Sequence, residues 1–516
     1  MLNFKHTSNI SFPSNFMAGF VSTMILLGIA IGISVSSNAL IYLIYIFAAI
    51  VAVTLACLLI FGKPVYSLLI FIVLMPFHPL IISLLLTYTS LPVSAIRAFA
   101  AWKEALIIIQ IIRVILFERK KIILVDVLAM LFLMFVCLTI FLPSSIYPSA
   151  PELLKKLYAA RDASFYIGVF FVGRYARISN RDLGRILKTL FIVGVLASLA
   201  GFIEYFFLPI ESFVTIGYVN YSHFLGFSWN GIYGLPENLF TVIGGALVRR
   251  MASFFLMSNI FGQALIIFVP VIVYYRSIVR PSKRWMVNLA LVTALLALFM
   301  TITRMSIVAC IIGFFLGGYL LRDKFVSQIA GLLLFGIMLV GVFIIIYFPE
   351  TGLFTTQDTS ISTHFMLWEE ASVAILNTPF LGYGPGTGGT TSVKNLGTGL
   401  ESITFGTESQ YLSTAVQFGI PALFLNLWFV LLTLWLVYRV FKVETDWRVR
   451  GVCLVTFVSG IGLSLNAVST SIYSVTFTTY IFWWLAGLSI QKGIVNDVNP
   501  VTLFKKKKKK VPKEGD

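Results

Sequence analysis

The stretch SQIAGLLLFGIMLVGVFIIIYF, residues 327–348, is continuous apolar sequence long enough to cross a hydrocarbon core of about 30 Å as a helix. Residues 349–408 then interrupt it with non-membrane sequence, and apolar character resumes near Ser409. Inside the insertion, HFMLWEEASVAILNTPFLGYGPG at 364–386 has the spacing of an amphipathic helix running into a glycine-rich turn. It closes on TESQYLSTAVQFGIP at 407–421, which places Glu408 at the start of the next apolar run. The chemistry is expected in or beside this insertion, and the rest of the chain reads mainly as its frame.

The whole chain is 59% hydrophobic and 11% charged, with a mean hydropathy of +0.94. Soluble globular domains carry about 25% charged residues, so that class is excluded. Apolar runs near 17–35, 38–61, 65–87, 93–112, 122–142, 162–175, 187–208, 257–275, 285–302, 305–321, 327–348, 410–438, 451–469 and 472–490 predict an all-α polytopic membrane protein. The expected count is about 14 transmembrane helices, forming one domain over 1–490. The run at 65–87 is broken by Pro76 and Pro79 around His78, and 162–175 is short.

Orientation follows from Lys and Arg, which concentrate in cytoplasmic connections. With the N-terminus inside, only Arg97, Lys103, Lys155, Lys156, Arg161, Arg249, Arg250, Arg304 and Lys394 fall outside those connections. Both termini are then cytoplasmic, and the segments near 143–161, 209–256 and 349–408 face outside. The net charge of +17 reads as this topology signal and not as a nucleic-acid surface. Residues 491–516 form a basic cytoplasmic tail whose Lys505 to Lys510 run suits anionic lipid headgroups, at roughly 1 kcal/mol per residue. Cys57, Cys137, Cys310 and Cys453 all lie in predicted spans without a CxxC pair, so neither a disulfide framework nor a zinc site is indicated. Met1 to Phe16 is polar and weakly basic, and the first helix is expected to stay as a signal anchor.

Charged groups within or at the outer edge of a membrane bundle are costly and call for a functional hypothesis. Arg304 sits in TITRMS, a minimal turn between two apolar helices, at the boundary where basic residues are disfavoured. The alternative for it is a snorkelling anchor. Arg250 has Arg249 beside it, which leaves open a plain interfacial patch. Arg161 with Asp162, and Arg97, complete the outer arginines, while Lys103 and Glu104 read as a charge pair inside the bundle. Arginines gathered on one face imply an anionic ligand, and guanidinium is the preferred planar partner of phosphate. Such a ligand, reachable from the bilayer, would be a lipid-linked diphosphate. Glu408 is the candidate base, its alternative role being to offset a helix dipole. His364 and Trp368 share a helical face and are candidates to orient substrate, although a surface role for the histidine is open. The segment GYVNYSHFLGFSWNGIYGLPEN at 217–238 is suited either to sugar rings or to an interfacial aromatic belt. GYGPGTGG at 382–389 lacks the ending of a phosphate loop, and its glycines serve a tight turn and close backbone approach. No metal site and no cofactor are expected.

The ordered set TITRMSIVACIIGFFLG (301–317), HFMLWEEASVAILNTPFLGYGPG (364–386) and ESQYLSTAVQFGIPALFLN (408–426) resembles the bacterial O-antigen polymerase and O-antigen ligase superfamily. LYAARDASFYIGVFFVGRY (157–175) and RRMASFFLMSNIFGQALIIFVP (249–270) are similar to that family's earlier segments. The resemblance implies a fold like other integral membrane, GT-C-like glycosyltransferases and a metal-independent reaction. It would act at the outer face of the bacterial inner membrane on undecaprenyl-diphosphate-linked oligosaccharides. It implies that Arg250 and Arg304 engage the diphosphate, and it makes a chain-length regulator an expected partner. Ligases of the family usually carry His-Asn where this chain has Glu408 and Ser409, which favours a polymerase. The family's usual arginine upstream of the insertion's tryptophan is here His364. An O-antigen or protein-glycan ligase is the alternative, and a lipid-linked oligosaccharide flippase is the alternative outside the enzymes.

Overall fold

The computed structural model describes residues 63–118, 121–226, 231–236, 239–243, 246–347, 359–389, 405, 407–472 and 475–495. The expected spans at 17–35 and 38–61 and the lysine tail lie outside the described residues. Every later apolar run forms a helix. In order they are α1 (Pro64–Leu74), α2 (His78–Tyr88), α3 (Val93–Ala100), α4 (Trp102–Phe117), α5 (Leu124–Phe141), α6 (Leu153–Tyr175) and α7 (Asn180–Phe207). The short helices α8 (Glu211–Thr215) and α9 (Tyr218–Phe224) and a hairpin of β1 (Phe240–Ile243) and β2 (Ala246–Arg249) follow. The chain continues through α10 (Ser258–Ile278), α11 (Arg284–Met300), α12 (Arg304–Leu321), α13 (Lys324–Tyr347), α14 (Thr359–Asn377), α15 (Gln410–Val443), α16 (Trp447–Asn466) and α17 (Thr476–Val495). Among the described residues, eight helical stretches are long and apolar enough to cross a membrane. The chain is an all-α polytopic membrane protein.

Three expected boundaries are corrected. The run 93–112 is not one span, because the helix breaks at Ala101 between α3 and α4. The short run at 162–175 belongs to α6, which starts at Leu153 and carries Arg161 in its interior. The third correction bears on the site. α15 has 34 residues, about 51 Å at 1.5 Å per residue, against a core of about 30 Å. Gly419 breaks it with φ 81° and ψ 173°, just before Pro421. The helix is therefore longer than one crossing and bent at Gly419, with Tyr411 and Phe418 before the bend still packed on the main bundle core. Glycine is required here: a Cβ at Gly419 would strike the carbonyl of Phe380, while one at Gly382 would strike that of Val416.

Among the described residues, packing divides into three cores. The main one runs through the bundle, with α6 and α17 in contact so close that a Cβ at Gly173 or Gly487 would collide with the facing backbone. A second joins Ile82 and Ile96 to Phe213, Tyr218, Tyr221, Leu239 and Ala252, and it anchors the segment that carries Arg250. Tyr218 and Tyr221 are thus buried structural rings 6.1 Å apart, and neither is available to sugar or to an interfacial belt. The third core is small: Ala371 and Ala374 of α14 rest on Val416 of α15, with Tyr383, Phe405 and Leu412 around them.

Candidate functional site

Sequence-adjacent arginines separate in the fold. The β1–β2 hairpin, with Phe240 opposite Arg249, delivers Arg249 toward α7. There its guanidinium pairs with Glu204 and donates to the Leu208 carbonyl at 2.7 Å. The second Glu204 oxygen accepts from the amides of Ala252 (3.0 Å) and Ser253 (3.2 Å), which fixes the chain just beyond Arg250. Arg250 turns the other way. Its Nε donates to the Thr301 carbonyl at 2.8 Å and its Nη2 to Thr303 Oγ1 at 3.0 Å. The main chain follows, with the Met251 amide bonded to the Met300 carbonyl at 2.9 Å. The simple patch of two like arginines is therefore not what forms: one is neutralised, and the other lies on the turn that holds Arg304.

Arg304 is the exposed first residue of α12, after an N-cap at Thr303. Two adverse placements coincide. A cation at a helix N-terminus opposes the dipole, and the Arg304 charge presses on Arg250. Burial first, then that charge, pull the Arg250 guanidinium down to about 10. Two guanidinium groups and the positive end of a helix converge on one locus, an arrangement that favours a multiply charged anion.

The link to Glu408 comes from the turn after α16, residues 466–471, which the sequence reading did not single out. Asn466, fully buried, donates from Nδ2 to Ser306 Oγ at 3.0 Å, two residues past Arg304. The next carbonyl, of Ala467, accepts from the Gln410 amide at 2.9 Å and from Ser409 Oγ at 3.4 Å. Ser471 Oγ donates to the Glu408 carbonyl at 3.0 Å. One turn thus ties the start of α12 to the start of α15. Ser409, not Glu408, is the N-cap, its hydroxyl accepting from the Leu412 amide. Glu408 is exposed and stands one residue before that N-cap.

The other candidates have separate settings. Arg161 pairs with Asp162 at 2.7 Å, over the Tyr158 ring at 5.4 Å, with Glu104 and Tyr480 in electrostatic range. Lys103 and Glu104 form the expected ion pair at 3.4 Å. Arg97 lies over the Phe224 ring at 6.0 Å. Trp368, half-buried on α14, packs edge-on with Phe365 at 5.8 Å. His364 falls on α14, but its side chain lies outside the described residues.

The glycine-rich turn is built against protein. Tyr383 donates its amide to the Val416 carbonyl at 2.7 Å, Gly386 to Gln417 Oε1 at 2.9 Å and Gly389 to Thr407 Oγ1 at 3.0 Å. Ser149 Oγ donates to the Tyr383 carbonyl at 2.6 Å and joins the 143–161 segment to it. Between this turn and α14 lies an open groove.

No curated protein matches the chain. Residues 289–427 match the family model described as O-antigen ligase, a range that runs from before Arg304 to beyond Glu408. Over those residues the chain is similar to the O-antigen ligase/polymerase superfamily.

Proposed function

We propose that this protein is a polysaccharide polymerase. It joins undecaprenyl-diphosphate-linked oligosaccharide repeat units at the outer face of the bacterial inner membrane. The observation that carries the reading is the convergence of Arg250 and Arg304 at the α12 N-terminus, tied through the 466–471 turn to Glu408. Superfamily members are glycosyltransferase-like enzymes, which supports this reaction class.

In this reading, a hydroxyl of one lipid-linked unit attacks the anomeric carbon of the sugar on the other substrate's diphosphate. A new glycosidic C–O bond forms, the anomeric carbon to phosphate-oxygen bond breaks, and undecaprenyl diphosphate leaves with the electron pair. Arg250 and Arg304 stabilise the charge that grows on that leaving group, the preorganised electrostatic role that commonly dominates such catalysis. Glu408 takes the hydroxyl proton, which suits an exposed carboxylate reachable by an incoming acceptor. Arg161 and Arg97 are proposed as further diphosphate contacts, and His364 with Trp368 as orienting groups.

The test uses purified full-length protein and lipid-linked repeat units. Elongation should persist in EDTA. Arg304→Ala should lower turnover by about 10²–10³-fold, and Glu408→Gln by about 10²–10⁴-fold. Strict metal dependence, or full activity of both variants, would overturn the reading. A ligase remains the second reading, favoured by the description of the matching family model. It predicts no product from repeat units alone, and transfer only when a separate acceptor is added.

A further inference from the structure

We propose that the groove between α14 and the glycine-rich turn binds the saccharide part of a lipid-linked substrate; this rests on the function proposed above. The groove is an open cleft of about 440 Å³. One wall is a single face of α14, where Met366, Glu369, Glu370 and Val373 recur at helical spacing. Tyr383 and Phe405 form the other wall, edge to face with ring centroids 5.0 Å apart.

That second wall is preformed. Tyr383 is held by its amide on Val416 and by Ser149 on its carbonyl, and the Phe405 amide donates to the Thr387 carbonyl at 2.7 Å. Small-ligand sites combine such fixed apolar and aromatic surface with a few polar groups that set orientation. Aromatic rings accept the C–H faces of sugars, and carboxylates accept hydrogen bonds from hydroxyls.

Charge selects the occupant. Glu369 and Glu370 are exposed carboxylates, which repel a diphosphate and accept a hydroxyl-rich chain. The anion and the glycan are thus assigned to different loci, arginines for one and the carboxylate and aromatic groove for the other. The two loci are continuous along the chain: Thr407 donates its amide to the Phe405 carbonyl at 2.7 Å, and Glu408 follows directly. Met366 and Val373 are 52% and 54% exposed, so the wall is open to a ligand.

The test measures binding by the purified full-length protein of two probes, the lipid-linked repeat unit and bare undecaprenyl diphosphate. Val373→Trp fills the groove from an exposed position, and Leu376→Trp, on α14 and exposed but outside the groove lining, serves as the control. Val373→Trp should weaken binding of the glycosylated lipid by about tenfold or more, with bare lipid binding unchanged and Leu376→Trp close to the parent. Glu369→Gln with Glu370→Gln should act in the same direction. If Val373→Trp changes neither ligand while Arg304→Ala weakens both, the groove is not a saccharide site and the function reading stands. Equal weakening of both probes would show that the groove takes lipid, which overturns the proposal. If the parent protein binds neither probe, the function reading fails and the groove proposal with it.

Discussion

At the residue scale, Arg250 and Arg249 show how position in a fold overrides adjacency in sequence. Glu204 absorbs the charge of Arg249, whereas Arg250 is pressed against a second arginine. Burial and the Arg304 charge pull its guanidinium down to about 10, still far enough above neutral pH that it carries its full charge there. An anion that binds this pair in the folded protein stabilises it by mass action. Inorganic pyrophosphate should therefore raise the melting temperature at pH 7 to 9. Arg250→Ala should show a smaller increment, with Arg304 left as the remaining cation. A pyrophosphate effect retained in full in that variant would count against Arg250 as an anion ligand.

At the scale of elements, the start of α12 and the start of α15 are separated by more than a hundred residues but share one turn. Asn466 is the clearest test of that coupling, because its amide touches Ser306 and not the proposed substrate. Asn466→Ala should lower stability by about 1–3 kcal/mol, since the Ser306 partner is buried. It should also lower kcat by about tenfold to 10²-fold through misplacement of Arg304. Asn466→Asp, similar in size, should be no more stable than Asn466→Ala, because it loses the donor to Ser306 and buries a carboxylate. A melting-temperature loss with kcat unchanged would reduce Asn466 to a structural role. Much at this scale was legible in the sequence. α10, α11, α12 and α16 fall close to their expected positions, because unbroken apolar runs of span length allow few other structures. The breaks at Ala101 and Gly419 were missed because hydropathy averaged over a span runs through both, although Lys103 with Glu104 and the Gly419 to Pro421 step mark them locally.

For the molecule as a whole, the topology expectation concerns which face carries the insertion. Cys137, Cys310 and Cys453 lie on α5, α12 and α16, two of them buried, so replacing the four cysteines leaves a background for labelling. A cysteine introduced for Thr398 should react with an impermeant thiol reagent in intact spheroplasts. One introduced for Val511 should react only after lysis. The reverse pattern would invert the expected orientation and move the proposed site to the cytoplasmic side.

Hydropathy by itself determined the all-α membrane class and the helices of the described bundle, because a bilayer core leaves no alternative to internally satisfied backbone. The arginines, Glu408 and the 364–386 segment were visible as charge and glycine placed against that apolar background. Only the tertiary structure decided which of them meet. It paired Arg249 with Glu204, brought Arg250 to Arg304, and made the turn from Asn466 to Ser471 the bridge from Ser306 to Glu408. Those choices depend on helix packing and on backbone turns at a few positions. One-dimensional apolar periodicity carries no record of either.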